Sequence, residues 1–414
     1  MSYLVFYKTE YSDYRVLFSD NETFDTLDYL PDKKKYHCFE MFKGYEPDDA
    51  GLLQFLADFN KWADELRDNE ILSIDYRKYY THFFATEFTF KRLCKGKYES
   101  FDEISGLEAK WMRKCYNGGL MYCKPNIGTN YVQSYGYDYT SAYPVILGSF
   151  KFQIPTKTGK EYHLTSVNLN KLKFGFYRCR VIGVVDSTRP SARAGNSVGV
   201  VDSTRPSASV KFNFSKDDVY TSTSLEYASS LDLNIELIID GAPNAYLYDS
   251  LTRGNKIFGM WIQKLFNIKT IYPKNKLIKH LLSSLWGSLT RKNIIRKTYD
   301  EIITEKLDVS FNENNLDKRF YIDDIKYDAT GKEYYELLDN EKPYHYNIRL
   351  LPFLTAFCRN KIADFIENED DVIRIQTDNI VFNKPMKFDD PLFKSEAKTT
   401  GLIKWHNVNN YEKN

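Results

Sequence analysis

Two short β-prone segments, each built around one aspartate, most constrain what this chain can fold into. Asp138 lies in the aromatic run YGYDYTSAYP, and Asp378 lies in DDVIRIQTDNIVF. The second segment predicts a strand, a tight turn and a strand, with Asp378 at the turn, because Thr, Asp and Asn favour turns. The first segment alone predicts a strand that ends in a turn, with Asp138 as turn former and Pro144 as the end of the strand.

A basic amphipathic helix is predicted between these two segments. Leu277, Leu281, Leu282 and Leu285 share one side of it, and Lys279 lies on another. Two carboxylates held close would suit a pair of divalent cations, Mg²⁺ or Mn²⁺, since Mg²⁺ prefers a few carboxylates together with substrate phosphates. Such a pair can activate an attacking hydroxyl and stabilise a leaving pyrophosphate. Taken singly, the helix is explained by a solvated basic face and the Asp378 segment by a plain hairpin.

Composition excludes several classes of protein. A chain of 414 residues can form two or three domains, and its 57 Lys and Arg nearly cancel its 56 Asp and Glu. Nucleic-acid binding would therefore need local clusters of charge. The six cysteines include no Cys-x-x-Cys pair, which argues against a zinc site or a disulfide framework and favours a reducing compartment. The chain shows no signal peptide and no apolar run of about eighteen residues, so we expect an intracellular protein, without a membrane.

One segment stands apart from the rest of the chain. GVVDSTRPSA occurs at 183–192 and again at 199–208. Two copies are too few for a repeat architecture, so a duplicated, exposed and mobile loop at 183–208 is expected. Upstream, the pattern predicts a β-like opening, an amphipathic helix in DDAGLLQFLADFNKWADEL and a second, aromatic-rich helix in DYRKYYTHFFATEFTFKRLC.

Four motifs together resemble those of family B DNA polymerases. DYTSAYP (138–144) is similar to Asp-x-x-Ser-Leu-Tyr-Pro, KHLLSSLWG (279–287) to Lys-x-x-x-Asn-Ser-x-Tyr-Gly, and IQTDNIVF (375–382) to the Tyr-x-Asp-Thr-Asp-Ser hairpin. YNGG (116–119) resembles the Tyr-x-Gly-Gly linker that precedes the first motif. This linker and the spacing are typical of the protein-primed branch found in phages, viruses and linear plasmids.

The resemblance implies an α+β fold: a palm made of an antiparallel sheet with helices, helical fingers, and a small N-terminal α/β domain. The implied domains are a reduced or vestigial exonuclease-like domain (1–104), the first part of the palm with its insertion (105–260), the fingers (261–293), a second insertion (294–345) and the rest of the palm (346–414). The thumb is expected to be missing or truncated. Asp20 and Glu22 occupy a position suggestive of an exonuclease site, but a turn with an acidic face explains them as well.

The resemblance also assigns roles to individual residues. Asp138 and Asp378 would be the catalytic, metal-binding carboxylates, with the Tyr139 carbonyl as a further ligand of two Mg²⁺ or Mn²⁺ ions. Tyr143 would stack under the sugar of the incoming nucleotide and exclude a 2′-hydroxyl. The remaining implied contacts are to nucleotide or to DNA: Ser141, Lys269, Lys279, Ser283, Trp286 and Gly287 to the nucleotide, and Tyr116, Gly118 and Gly119 to the template backbone.

Four positions that depart from the family pattern are Gln376, Ser283, Trp286 and Ala142, of which Ala142 for Leu is a conservative change. Gln376 stands where the hairpin has its first acid, which predicts activity with an altered metal dependence. Ser283 replaces the usual Asn and Trp286 the usual Tyr, and both changes bear on nucleotide discrimination more than on chemistry.

The sequence leaves three functions open. The first is template-directed polymerisation of dNTPs on a DNA primer-template, with a terminal protein as a possible primer and a second chain as a possible source of thumb or exonuclease. The second is an inactive polymerase-like protein that binds nucleic acid or acts as a scaffold in a replication complex. The third is an unrelated Tyr-rich structural protein whose motif matches arose by chance.

Overall fold

The computed structural model describes residues 2–11, 13–20, 22–27, 30–31, 36–94, 96–125, 127–182, 210–212, 218–312, 316–327 and 331–414. The duplicated segment 183–208, with its predicted mobile loop, lies outside the described residues. Within them the chain forms α-helices α1 (Asp49–Arg67), α2 (His82–Cys94), α3 (Gly106–Cys115), α4 (Ala142–Leu147), α5 (Ser222–Ser230), α6 (Gly254–Ile271), α7 (Lys276–Leu289), α8 (Tyr299–Thr304) and α9 (Leu351–Ala363).

Among the residues that the structure describes, the strands fall into five sheets. Their bounds are β1 (Tyr3–Lys8), β2 (Tyr14–Phe18), β3 (Phe24–Leu27), β4 (His37–Glu40), β5 (Leu120–Cys123), β6 (Val132–Tyr139), β7 (Gln153–Pro155), β8 (Lys160–Tyr162), β9 (Gly175–Ile182), β10 (Val219–Thr221), β11 (Asn234–Leu237), β12 (Ala245–Leu247), β13 (Leu251–Arg253), β14 (Ile294–Lys297), β15 (Val309–Ser310), β16 (Phe320–Tyr327), β17 (Glu333–Asp339), β18 (Val372–Thr377), β19 (Asn379–Phe382), β20 (Phe393–Ser395), β21 (Gly401–Trp405) and β22 (Tyr411–Lys413).

The chain divides into two compact units. Unit 1 comprises residues 1–99 and 255–346, and unit 2 comprises residues 100–254 and 347–414. Unit 1 contains the sheet β3-β2-β1-β4, in which β1 and β4 run parallel, and the sheet β14-β17-β16-β15. The domain limits inferred from the sequence stay a prediction.

Unit 1 has its core where α1, α2 and α7 pack together. Leu277, Leu281, Leu282 and Leu285 are all buried, as the amphipathic pattern of α7 predicts. The aromatic-rich helix begins later than the sequence predicts: a single 3₁₀ turn covers Tyr76–Lys78, and α2 starts at His82. Asp75 caps the start of this turn, since its side chain accepts a hydrogen bond from the Arg77 backbone N–H, a local bond that competes with helix formation.

Unit 2 is built around a seven-stranded antiparallel sheet. Its strand order is β22-β21-β6-β19-β18-β5, and β20 pairs with β6 beside β21. Helix α9 packs near α3, α4 and α5 in the same unit. The prediction that Pro144 ends the first-motif strand is wrong, because β6 already ends at Tyr139. Pro144 lies in the first turn of α4, where a backbone N–H would have no partner within the helix and its absence costs nothing.

A fully buried ion pair connects α3 with the segment that leads into α9. Arg349 Nε donates to Glu108 Oε1 at 2.5 Å, Arg349 Nη2 donates to Glu108 Oε2 at 2.9 Å, and both side chains are 0% exposed. The guanidinium also donates to the carbonyl oxygens of Asp102 and Glu103, at 2.8 and 3.0 Å. Because one cation satisfies a carboxylate and two backbone carbonyls, it fixes the start of unit 2 to its C-terminal half. All six cysteines are free thiols.

Glu108→Ala should destabilise unit 2 by about 3–5 kcal/mol, because it leaves the Arg349 charge buried without its carboxylate. Lys157→Ala, which breaks the exposed Lys157–Asp102 pair of the same unit, should leave stability unchanged. The double variant Glu108→Leu/Arg349→Met should recover much of the loss, since it buries no charge. Urea denaturation of the full chain measures all three, and equal midpoints for Glu108→Ala and wild type would contradict this account.

Candidate active site

Asp138 and Asp378 lie at the same end of two paired strands. Strands β6 and β19 are antiparallel neighbours with Asn379 opposite Asp138, and the Tyr139 N–H donates to the Asp378 carbonyl oxygen at 2.8 Å. Asp378 occupies the turn between β18 and β19, as the sequence predicts. Both carboxylate side chains are partly exposed. The sheet therefore places the strand that carries Asp138 next to the turn that carries Asp378.

Strained backbone flanks both aspartates. Thr377, the residue before Asp378, has φ 58°, and Ser141, three residues after Asp138, has φ 56° and ψ 44°. A β-branched residue in the left-handed region is an outlier that costs free energy. Such strain collects at functional sites, where the surrounding structure holds it in place. Thr377 lies at the turn that carries Asp378, and Ser141 lies at the start of α4, just after β6.

The Tyr-x-Gly-Gly segment runs directly beside the Asp378 turn. Strand β5 begins at Leu120 and pairs with β18, with Leu120 opposite Thr377. A Cβ built on Gly119 would lie 2.8 Å from Thr377 side-chain atoms, whereas one on Gly118 would meet nothing within 4 Å. Gly119 is therefore required by the close approach of two backbones, and Gly118 faces open space.

Tyr143 and Tyr116 belong to the same part of unit 2. Burial raises the pKa of Tyr143, and the charge of Asp378 raises it further. Burial also raises the pKa of Tyr116, against the opposing effect of Arg359. Both phenols are therefore neutral at physiological pH and can serve as stacking surfaces or hydrogen-bond donors.

Arg359 is a site residue that the sequence analysis missed. It is 1% exposed, and its Nη1 donates to the carbonyl oxygens of Asn117 and Gly118, each at 2.7 Å. Burial lowers its pKa to about 10, so it remains charged near neutral pH. The one sequence signal for it is a lone arginine within the apolar helix LPFLTAFCRNKIA. Arg359 thereby holds the backbone of the Tyr-x-Gly-Gly segment in place from the buried side.

Gln376 has polar partners of its own. Arg374 donates to its amide oxygen, and its amide nitrogen donates to Asn409 Oδ1 at 2.6 Å. Arg374 also donates to Asn379 Oδ1 at 2.8 Å and to the Val408 carbonyl oxygen at 2.6 Å. The residue that replaces an acid of the family pattern is thus part of a network beneath the hairpin.

The donor set around Asp138 and Asp378 fits a hard divalent cation only with substrate oxygens added. In the part of the chain that the structure describes, no group of three or more His, Cys, Asp or Glu side chains is placed to hold a metal ion. Two carboxylates at one sheet edge match the preference of Mg²⁺ for a few carboxylates plus phosphate oxygens.

The second-motif residues share one face of α7 in unit 1. Lys279, Ser283, Trp286 and Gly287 follow the i, i+4, i+7, i+8 spacing, and all four are partly or fully exposed. Lys269, near the end of α6, holds its ammonium 5.7 Å from the centre of the Phe266 ring. The leucines on the opposite side of α7 are buried, so the helix can only present this polar face outward.

Fold and site together define a polymerase-type palm. The family model described as DNA polymerase type B, organellar and viral, matches residues 6–372. The chain therefore belongs to this family, which confirms the family expected from the four motifs.

Three solved structures support the fold. Phi29 DNA polymerase complexed with single-stranded DNA is 15% identical with a TM-score of 0.52, and the match covers 83% of this chain and 53% of that one. The ternary complex with primer-template DNA and incoming nucleotide substrates gives 18% identity, TM-score 0.50 and coverages of 75% and 50%. The post-translocation binary complex with primer-template DNA is 17% identical with a TM-score of 0.50, and the match covers 82% of this chain and 52% of that one.

At these identities the likeness establishes the fold alone, and it confirms the predicted α+β architecture. The chain spans about half the length of the solved chains that it matches. Comparison with curated protein sequences found no significant match. Among the helices described, none has the length and apolar character needed to cross a membrane.

Gly119→Ala should lower the melting temperature, because its Cβ would collide with Thr377 in the Asp378 turn, whereas Gly118→Ala should melt like wild type. Differential scanning fluorimetry compares the two substitutions, which are chemically identical and one residue apart. Equal melting temperatures for the two variants would show that the Thr377 contact does not constrain Gly119.

Proposed function

We propose that this chain is a template-directed DNA polymerase that adds dNTPs to a primer. The observation that carries the proposal is the pairing of β6 with β19, which puts the strand of Asp138 next to the turn of Asp378 in a chain of the type B family. In the reaction, a primer 3′-hydroxyl oxygen bonds to the α-phosphorus of a dNTP, the bond to the β-phosphate oxygen breaks, and pyrophosphate leaves.

Asp138, Asp378 and the Tyr139 carbonyl would hold two divalent cations, Mg²⁺ or Mn²⁺. When bound, the ions lower the pKa of the attacking hydroxyl and neutralise charge on the transferred phosphoryl group. The residues of the chain supply position, since Asp138 lies on β6 and Asp378 lies in the turn between β18 and β19. Catalysis of this kind is mainly orientation and electrostatic stabilisation.

The nucleotide contacts follow from the motif residues. We propose that Tyr143 stacks under the sugar and excludes a 2′-hydroxyl, with Ser141 beside it. Lys269 and Lys279 bind the triphosphate as point charges, as lysine does at phosphate sites. Ser283, Trp286 and Gly287 form the surface beneath the new base pair. Trp286 in place of Tyr offers a larger ring, which should affect discrimination between bases.

The DNA contacts belong to the Tyr-x-Gly-Gly segment. We propose that Tyr116, Gly118 and Gly119 follow the template backbone. Gly118 has open space above it, so a phosphate can approach its main chain closely. Arg359 holds two carbonyls of this segment inward, which leaves the opposite edge of its backbone for DNA.

Protein priming is the finer part of the proposal. It rests on the resemblance of the YNGG segment and of the motif spacing to the protein-primed branch. A terminal protein would then supply the first hydroxyl, and a second chain could supply thumb or exonuclease functions. The setting would be intracellular replication of a viral or plasmid genome, in the cytoplasm of the host.

An inactive polymerase-like scaffold is the second candidate. Gln376 favours it, because the neutral amide that replaces an acid is bound to Arg374 and Asn409. Retention of both Asp138 and Asp378 favours an active enzyme, since a chain freed from catalysis has no physical need for the pair.

Primer extension decides between the two candidates. The purified chain, with a labelled primer-template, dNTPs and Mg²⁺ or Mn²⁺, should extend the primer. Asp378→Ala should lower the rate by at least about 10²–10³, comparable with the loss of one group that stabilises transition-state charge. Asp389→Ala, which removes an exposed carboxylate of the same unit, is the matched control. If a folded wild-type chain does not extend the primer with either metal, even with added primer protein, the polymerase proposal fails and the inactive scaffold is the remaining candidate.

Gly287→Ala separates a substrate contact from a folding effect. The added Cβ would meet nothing within 4 Å, and alanine in a helix interior is favoured over glycine by about 0.5–1 kcal/mol. The variant should therefore melt at a higher temperature yet extend primers more slowly, because the methyl group protrudes into the surface for the new base pair.

The control for this substitution is Gly259→Ala in α6, where the nearest atom would lie at an ordinary 3.7 Å. It should gain stability without loss of extension rate. If Gly287→Ala extends primers as fast as Gly259→Ala, then Gly287 does not lie beneath the base pair.

A further inference from the structure

Helix α2 of unit 1 exposes aromatic rings where a surface helix usually carries polar side chains. Its buried side includes His82, Ala85, Thr89 and Leu93. The opposite side carries Phe84 and Phe88, four residues apart, followed by Lys91 and Arg92, three and four residues after Phe88. Phe88 is 45% exposed, and Tyr80, just before the helix, is also 45% exposed. Exposed apolar area of this kind usually marks a binding surface.

The rings form two contacting pairs on neighbouring turns of the helix. The Tyr80 and Phe84 ring centres are 5.6 Å apart in an edge-to-face arrangement, and the Tyr79 and Phe88 ring centres are 5.1 Å apart. Phe84 and Phe88 are one helical turn apart, which places their Cβ atoms about 5–6 Å from each other. We call these four residues, Tyr79, Tyr80, Phe84 and Phe88, the aromatic face.

Cations surround the aromatic face. Lys78, Lys91 and Arg92 are exposed next to it in sequence, and the Arg291 guanidinium lies 5.7 Å from the centre of the Phe84 ring. Arg92 is held in place by a hydrogen bond from Nη1 to the Ser73 carbonyl oxygen.

The one carboxylate of α2 does not offset this charge at the surface. Glu87 is only 5% exposed, and it receives a hydrogen bond of 2.9 Å from the Tyr346 hydroxyl. It also pairs with Arg291 at 3.2 Å, which holds that guanidinium beside Phe84. Exposed cations therefore accompany two exposed rings, Tyr80 and Phe88, and the partly exposed rings of Tyr79 and Phe84.

We propose that the aromatic face binds single-stranded nucleic acid, with bases stacked on its rings and phosphates paired with Lys78, Lys91 and Arg92. Surfaces that bind single strands without sequence preference combine these two elements, since every base offers a flat π face. Paired bases in a duplex have their faces covered by their neighbours, so a duplex can use the cations but not the rings. A basic surface also disfavours partners that are themselves basic.

This inference deepens the proposed function. It rests on that function in one respect only, namely that the bound single strand is the unpaired template of the polymerase. Binding of a single strand to the aromatic face needs neither Asp138 nor Asp378. A protein partner and a second copy of the chain are the competing occupants, and both are outcomes of the test below.

Fluorescence anisotropy of the full chain with a labelled oligothymidylate tests the proposal. The probe should have about 20 nucleotides, longer than the ~4–16-nucleotide footprints of single-strand-binding folds. Tyr80→Ala/Phe88→Ala should weaken binding about tenfold or more, whereas Phe88→Trp, which keeps a ring, should bind like wild type. The matched control is Phe311→Ala, because Phe311 is an aromatic of the same unit that is 80% exposed. It should not change affinity.

Salt dependence tests the role of the cations. Each phosphate contact to a single strand contributes about 0.7 to the slope of log affinity against log salt concentration. Lys78→Gln should therefore reduce this slope by about 0.7. In a second measurement, Tyr80→Ala/Phe88→Ala should bind a blunt-ended duplex with the same affinity as wild type. Circular dichroism checks that each variant is folded.

Three results would overturn the proposal. The first is an unchanged affinity of Tyr80→Ala/Phe88→Ala for the oligothymidylate. The second is an equal loss for Phe311→Ala. The third is loss of self-association in sedimentation, without loss of oligonucleotide binding, which would assign the face to a second copy of the chain.

The outcome is also separable from that of primer extension. Asp378→Ala should bind the oligothymidylate like wild type, because it leaves unit 1 unchanged. If the wild-type chain fails to extend primers but the aromatic-face variant loses binding, the polymerase proposal fails and this inference holds. If extension proceeds and the variant binds normally, the inference fails alone.

Discussion

The register between β6 and β19 is the constraint on which the candidate active site depends. Because side chains alternate along a strand, a slip of one residue would turn Asp138 to the other face of the sheet. Gly136 helps to prevent the slip, because only glycine fits at its position: a Cβ there would lie 1.8 Å from the Thr399 hydroxyl oxygen. A shifted strand would bring Tyr135 or Tyr137 to this position. Asn379 adds a second lock: its amide donates to the Tyr137 carbonyl oxygen at 3.1 Å and to Glu396 at 2.8 Å. The register is thus fixed by shape and by hydrogen bonds together.

The same hydrogen bonds continue to Gln376 and give its replacement of an acid a physical setting. Arg374 is 3% exposed, and its guanidinium lies 5.0 Å from the centre of the Trp405 ring. It reaches Asn379 and Gln376, so the network joins both strands of the hairpin that carries Asp378. A carboxylate at position 376 would pair with Arg374 at close range, whereas an amide accepts the bond without adding charge. Gln376 therefore acts as a structural partner of the hairpin, and Asp378 is its one acid.

The parts of the fold that could be predicted from the sequence are those with a local cause. Turn chemistry places Asp378 between two strands, and the leucine spacing of α7 gives its buried side. Pro144 could not be placed correctly, because a proline is equally compatible with the end of a strand and the first turn of a helix. Arg359 was missed since its partners are backbone carbonyls of a segment far away in sequence, which leave no pattern of residue types. The roles of the motif residues stay predictions, because they depend on ligands and not on the fold.

The N-terminal residues of unit 1 have a structural role that does not depend on any exonuclease chemistry. The side-chain oxygen of Asn275 caps α7 and its amide nitrogen donates to Glu65 of α1, while the Thr86 and Ser284 hydroxyls are 2.9 Å apart between α2 and α7. The His82 and His280 rings are 4.6 Å apart, and burial lowers their pKa values to about 3 and 4, so both are neutral at physiological pH and can pack like other rings.

The face of α7 that carries Lys279 is therefore oriented by the buried sides of α1 and α2. Helix α2 then has two separate tasks, one on each side: it supports α7 through Thr86 and His82, and it offers its aromatic face to a partner. Phe88 is exposed, whereas Thr86 and His82, which contact α7, are buried on the other side of α2. Phe88→Ala can therefore test the aromatic face and leave the contacts with α7 in place. A loss of oligonucleotide binding by such a variant would then report the surface itself.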